Sequence, residues 1–351
     1  MTVLPGLLLA LALALLGQFS SIYIGEDLMG MPKSPVSPIM MAIILGIIIR
    51  NVSNLPVWVD PGIQFGLVRV LRIGIVLLGI RLSLGEVGEI GLKSLPIIVG
   101  TVAAALVIVT WLSIRVGLSG RLGTLIAVGT SICGATAIVA TAPTIGARDT
   151  ETSYAVACIT LFGVAAMMLY PILGHFVFNG DPFLIGLFLG TSVHETAQVA
   201  GAALVYQQFH DAPAALDAAT VTKLVRNLSM LLVIPLMAVF YHRNHSEGAH
   251  TPSWWSMIPL FIVGFALMSL LRTVGDMGDR PFGLLDPDQW RWFVDHTKEL
   301  AELCLAVAMA AVGLGTRLKD LTAIGLTPLG VGLVSALLVG GVSTLLILLL
   351  Y

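Results

Sequence analysis

The stretch GTSVHETAQVAGA, Gly190 to Ala202, decides how this chain is read. It lies in an apolar run, 183–206, yet carries His194, Glu195 and Gln198. A charge at the centre of a membrane helix costs about 3 kcal/mol even on lenient insertion scales, so in a spanning segment these side chains must face protein or water. Composition supports such a segment: the chain has 351 residues, 57% hydrophobic and 11% charged, with mean hydropathy +0.97. About 200 apolar side chains exceed what a water-soluble core hides, and at about 20 per helix they supply roughly ten spans. The runs are continuous and rich in Leu, Ala, Ile and Gly, which excludes the short alternating strands of a transmembrane barrel. The expected fold class is an all-α polytopic membrane protein of about 10–11 transmembrane helices, multi-pass in a lipid bilayer.

Working outward, the apolar segments are 4–18, 36–50, 66–83, 94–116, 122–145, 153–178, 183–206, 218–241, 254–272, 299–316 and 324–350. The first three are short or internally charged, which leaves ten and eleven spans both open. No basic residue precedes Lys33, so the first run is expected to be a span and not a cleaved leader. The polar stretch 273–298, with Trp290, Trp292 and Phe293, reads as a helix in the headgroup layer or as a solvated connector. Basic residues divide evenly between the two sides, so orientation is undetermined. A net charge of −2 without like-charge blocks excludes nucleic acid as a partner. Cys133, Cys158 and Cys304 lie in apolar runs and read as reduced packing residues.

The opening stretch has a twin in Gly129 to Ala142, GTSICGATAIVATA. A second pair links Val76 to Leu82 with Val312 to Leu318, each ending in Arg-Leu. The chain reads as duplicated within one membrane domain, 1–351, with repeat-like segments 66–178 and 183–350. By span counting the first pair is parallel and the second antiparallel, whereas inverted repeats require antiparallel copies throughout. Either a span is miscounted or the repeats are rearranged.

Gly-rich, hydroxyl-rich stretches inside a span fit places where a helix is broken and faces protein or water. Free N–H groups and a positive dipole end there, with hydroxyls from Thr130, Ser131, Thr191 and Ser192, would hold an anion. Small residues that let helices pack closely are the competing reading. His194 and Glu195 are candidates for carrying protons or a coupling ion, and a structural hydrogen bond between helices is the alternative. His-Glu at 194–195 lacks the second histidine of a zinc protease motif, since position 198 is Gln. Lys223 and Arg226, at i and i+3 and followed by Asn227, share one helix face and either balance Glu195, attract an anion or snorkel to the interface. Arg81 and Arg317, at matching ends of duplicated spans, read as interfacial anchors.

Together these motifs, with Met309 to Leu314, resemble the YeiH-like family of proposed sulfate exporters over nearly the whole chain. That family is grouped with the bile-acid symporter and cation:proton antiporter-like transporters. The resemblance implies two broken, crossing helices, a separate scaffold bundle, and a site of Thr130, Ser131, Cys133, Gly134, Thr191, Ser192, His194, Glu195 and Gln198. Some relatives carry an acidic residue where this chain has Ala142, which leaves the coupling open. The expectation is a secondary transporter of a small anion, sulfate or a related sulfur oxyanion or sulfonate, in the bacterial inner membrane. It would use alternating access with proton or sodium coupling at Glu195 and His194, no other cofactor and no enzymatic step. A homo-oligomer is compatible with this reading. An anion channel and, further off, an intramembrane enzyme are the alternatives; no Walker A motif points to ATP.

Overall fold

The computed structural model describes residues 3–28, 37–53, 55–242, 259–277, 280–283, 286–317 and 326–351. Lys33, the start of the 254–272 segment, Leu318 and residues 324–325 lie outside them. Among the described residues the chain is all-α, and six helices are long and apolar enough to cross a membrane. The elements are α1 (Leu4–Ile22), α2 (Pro38–Val52), α3 (Asp60–Phe65), α4 (Leu71–Leu78), α5 (Leu84–Arg115), α6 (Gly120–Ser131), α7 (Ala135–Thr141), α8 (Asp149–Val177), α9 (Pro182–Ser192), α10 (Thr196–His210), α11 (Pro213–Leu228), α12 (Met230–His242), α13 (Leu260–Gly275), α14 (Pro287–Gly315) and α15 (Leu326–Leu350). Several starts follow from local chemistry. Ser37, Asp181 and Asp286 accept from backbone N–H groups of the first turn, and each precedes a proline whose missing N–H costs nothing there.

The chain divides into two compact units. The first takes 1–90, 204–213 and 259–317. In it, Val57–Arg81 is one helical span, and α14 runs antiparallel to it, with Gly66 against Ala311 and Gly74 against Leu305. The second motif pair is thus antiparallel. Gly46 of α2 and Gly313 of α14 bring the backbones together: a methyl on Gly313 would stand 2.3 Å from the Ile43 carbonyl oxygen. Arg81 pairs with Glu302 at 3.4 Å, and Arg317 and Arg50 with Asp60 at 3.0 and 2.8 Å. The aromatic stretch at 290–293 is not a separate surface helix. Pro287 starts α14 there, and the repeat Trp290, Val294, Thr297, Ala301, Leu305 continues the buried face of that helix. Trp290 packs against Gly275 and donates from its indole N–H to Asp276, 2.8 Å away.

The second unit takes 91–203, 214–258 and 318–351. Both expected interruptions are present, and each reverses the chain, where the resemblance implied two broken, crossing helices. After α6 the chain turns at 132–134, and α7 with the turn at 142–145 returns along α6. A methyl on Gly129 would meet Ile138 at 2.7 Å, and one on Gly146 would stand 3.9 Å from the Arg121 guanidinium at the entry of α6. After α9 the chain turns at 193–195. It is back beside α9 at the start of α11, because Gly186 packs on Ala215 and Ala218, and Gly190 on Thr222. Helices α9 and α11 are therefore parallel, which requires the intervening chain to return.

Each segment is a re-entrant hairpin, and the two enter from opposite ends of the unit. Helix α8 carries the chain from one end to the other: its start packs with the entry of α6, and Gly174 near its end packs on Ile185 and Phe188 of α9. The motif twins are thus inverted copies, each a hairpin followed by a through-running helix: α6 to α8, then α9 to α12. A hairpin adds no crossing, which is why counting it as a span made the pair look parallel. The Val76 and Val312 motifs precede α5 and α15, so the second copy is also rearranged in chain order.

Candidate functional site at the hairpin tips

Helices α6 and α9 both end on Gly-Thr-Ser, at Ser131 and Ser192, and the breaks follow immediately. A helix end leaves carbonyls without partners and concentrates the negative end of the helix dipole. In a hydrocarbon setting those groups need donors from the protein. Lys223 and Arg226 of α11 supply them, and both are fully buried. Lys223 Nζ donates to the carbonyls of Ile132 at 2.9 Å, Val193 at 3.1 Å and His194. Arg226 donates from Nε to Ser131 O at 2.8 Å, from Nη1 to Val193 O at 3.1 Å and from Nη2 to Thr130 O at 2.5 Å. Two cations one helical turn apart thus tie both tips to one helix, with Val193 O shared. Hydrogen bonds to charged groups contribute about 1.5–3 kcal/mol each.

The tips also hold each other. Glu195 accepts from the Ala135 N–H at 3.1 Å, capping the first turn of α7. Position 134 must be glycine on two counts: φ is +70°, and a methyl would come within 2.3 Å of Glu195 Cγ. Gln198 caps α10 by accepting from the Glu195 N–H at 3.2 Å, while its Nε2 donates to Thr160 O of α8 at 3.1 Å. Asn227 Nδ2 donates to Thr196 Oγ1 at 3.2 Å.

The hydroxyls expected to line an anion site face elsewhere. Ser131, Thr191 and Ser192 donate back to Val128 O, Leu187 O and Phe188 O of their own helices, at 3.1, 2.7 and 2.5 Å. Thr191 also shares a 2.5 Å hydrogen bond with Ser343 of α15, a residue that the sequence reading passed over inside a Leu-rich run. Cys133 Sγ lies 3.3 Å from Met230 Sδ in the apolar wall behind the first tip. Thr130 Oγ1 and both ring nitrogens of the fully buried His194 have no hydrogen-bond partner among the described residues. Ala135, Glu195 and Thr196 are half-buried and Thr136 is exposed, so the reachable edge of the tips is their helix-start side. Thr196 and the backbone carbonyls at the breaks were not singled out from the sequence; Thr196 stands within the His-Glu-Thr-Ala-Gln run, but carbonyls carry no sequence signal.

Hairpins inserted from opposite ends, with buried cations where their tips meet, define a class: a multi-pass, all-α membrane protein with an internally duplicated, polar centre. The chain belongs to the family described as conserved hypothetical protein 698, which matches residues 5–332. It is similar to UPF0324 membrane proteins of Fusobacterium nucleatum (34% identity, covering 85% of each chain), of Streptococcus agalactiae (32%, covering 92% of this chain and 90% of the other) and of Nitratidesulfovibrio vulgaris (30%, covering 92% and 86%). No solved structure matches it.

Proposed function

We propose that this protein is a secondary transporter of a small anion in the bacterial inner membrane, with sulfate, sulfite and sulfonates as the first substrates to test. The observation that carries this reading is the burial of Lys223 and Arg226 where two oppositely inserted hairpins meet. Two half-helix C-termini contribute about −0.5 charge each, the starts of α7 and α10 about +0.5 each, and Glu195 one formal negative charge, so the two cations leave an excess of about one positive charge at the tips. A proton on Glu195 adds a further positive charge, which a bound anion offsets. Anion and proton binding therefore favour each other, which makes a proton gradient usable as a driving force. The reachable edge beside Glu195 and Thr196 is where the anion would meet the Thr196 hydroxyl, and the Ala135 N–H once a protonated Glu195 yields it.

The test is uptake of labelled sulfite, sulfate and a short alkyl sulfonate into proteoliposomes under an imposed pH gradient. Uptake above the equilibrium level supports proton-coupled transport. Flux without accumulation identifies a channel, and absence of flux for every anion overturns the reading.

A further inference from the structure

The oxygen atoms around Lys223 Nζ are an unusual set for an ammonium group. All three are backbone carbonyls of residues in the two breaks: Ile132 from one tip, Val193 and His194 from the other. Unwound carbonyls at half-helix C-termini are the groups with which membrane transporters coordinate sodium, and rings of carbonyls replace the hydration shell of potassium in channels. The neighbouring Arg226 fills two further carbonyl positions, at Thr130 and Ser131, and shares Val193 O with Lys223. The side chain is 0% exposed, so no water completes the shell from bulk solvent.

We infer that the carbonyls of Ile132, Val193 and His194 form a monovalent-cation site whose permanent occupant is the tethered Lys223 ammonium, so that this protein neither binds nor uses sodium or potassium at its hairpin tips. A diffusing alkali ion would satisfy the same carbonyls, but it would have to be recruited at each cycle and its gradient would enter the coupling. The tethered ammonium is part of the chain and is not released. The consequence for coupling rests on the transporter reading; the cation cage itself does not.

The experiment is thermal unfolding of purified wild type, Lys223→Ala and Lys223→Met in choline, sodium, potassium, ammonium and methylammonium chlorides at equal ionic strength. Lys223→Ala vacates the cage, and ammonium, methylammonium or potassium is expected to raise its melting temperature saturably, by about 2 °C at ten times the dissociation constant. Lys223→Met fills the space with an apolar chain and should show no such rescue. Lys223→Ala with no cation response, or Lys223→Met with an equal one, overturns the cage. If Lys223→Ala does not fold, wild type decides: equal melting in sodium, potassium and choline supports the inference, and saturable stabilisation by either alkali ion overturns it. None of these readouts requires transport, so failure of the anion assay and failure of the cage are separate results.

Discussion

The carboxylate of Glu195, on the second hairpin tip, caps the backbone N–H of Ala135, on the first, at 3.1 Å. One side chain thus closes the contact between two segments that enter from opposite ends, 60 residues apart in the chain. Its own N–H is held by Gln198, so the carboxylate is aimed by the turn that carries it.

Replacing Glu195 by Gln keeps an acceptor for Ala135 N–H and removes the charge that a proton would neutralise. The expected outcome is retained anion exchange between the two sides with loss of accumulation under a pH gradient. Counterflow and gradient-driven uptake measured on the same proteoliposomes separate the two, and gradient-driven uptake at the wild-type level removes Glu195 from coupling.

Arg226→Met leaves the Thr130 and Ser131 carbonyls without their donor and takes one of two donors from Val193 O, in a fully buried place. A loss of about 3 kcal/mol or more is expected, as for a broken buried charge network. Arg226→Lys should recover only part of it, because a single ammonium does not reproduce the planar fork that reaches Thr130 and Ser131 on one tip and Val193 on the other. Detergent melting curves of the two variants check the order; equal stability would show that the fork geometry is irrelevant.

Gly134→Ala meets both a left-handed backbone and the Glu195 side chain. Forcing a Cβ into that conformation, φ +70° and ψ −129°, costs about 1–3 kcal/mol before the clash is counted. A lower melting temperature is expected, and the same change made in the Glu195→Ala background, which already lacks the Ala135 cap, should cost only the backbone part. An equal cost of Gly134→Ala in both backgrounds would place the whole of it in the backbone.

The hairpins fix which loops share a side. Single cysteines at Ser119 and Ala147, in a chain freed of Cys133, Cys158 and Cys304, should react with an impermeant thiol reagent from one face of the membrane. Cysteines at Asp181 and Ala214 should react from the other. If Ser119 and Ala147 label from opposite faces, the first segment spans and the inverted repeat is lost.

Much of this was legible beforehand because it is local. Each of the eleven apolar runs holds helix, and the ends of several are marked by Ser or Asp before Pro, as at Ser37-Pro38 and Asp181-Pro182. Lys223 and Arg226 stood out because two cations on one apolar helix face need a destination. The destination itself was not legible: it is a set of backbone carbonyls, which every residue has. The hydroxyls of Ser131, Thr191 and Ser192 were read as anion ligands because a sequence shows that a hydroxyl is present, not that it donates to the carbonyl three or four residues back.

Composition alone determined that this chain lives in a bilayer, and the polar interruptions at 129–134 and 190–195 alone determined where its helices break. Only the tertiary structure decided that each break turns the chain back, so that two copies which looked parallel are inverted. The reason is physical. Side-chain period and capping specify a helix within a few turns, but the direction taken after a break depends on what the freed carbonyls and N–H groups meet. Here they meet Lys223, Arg226 and the opposite tip, partners that folding alone brings together.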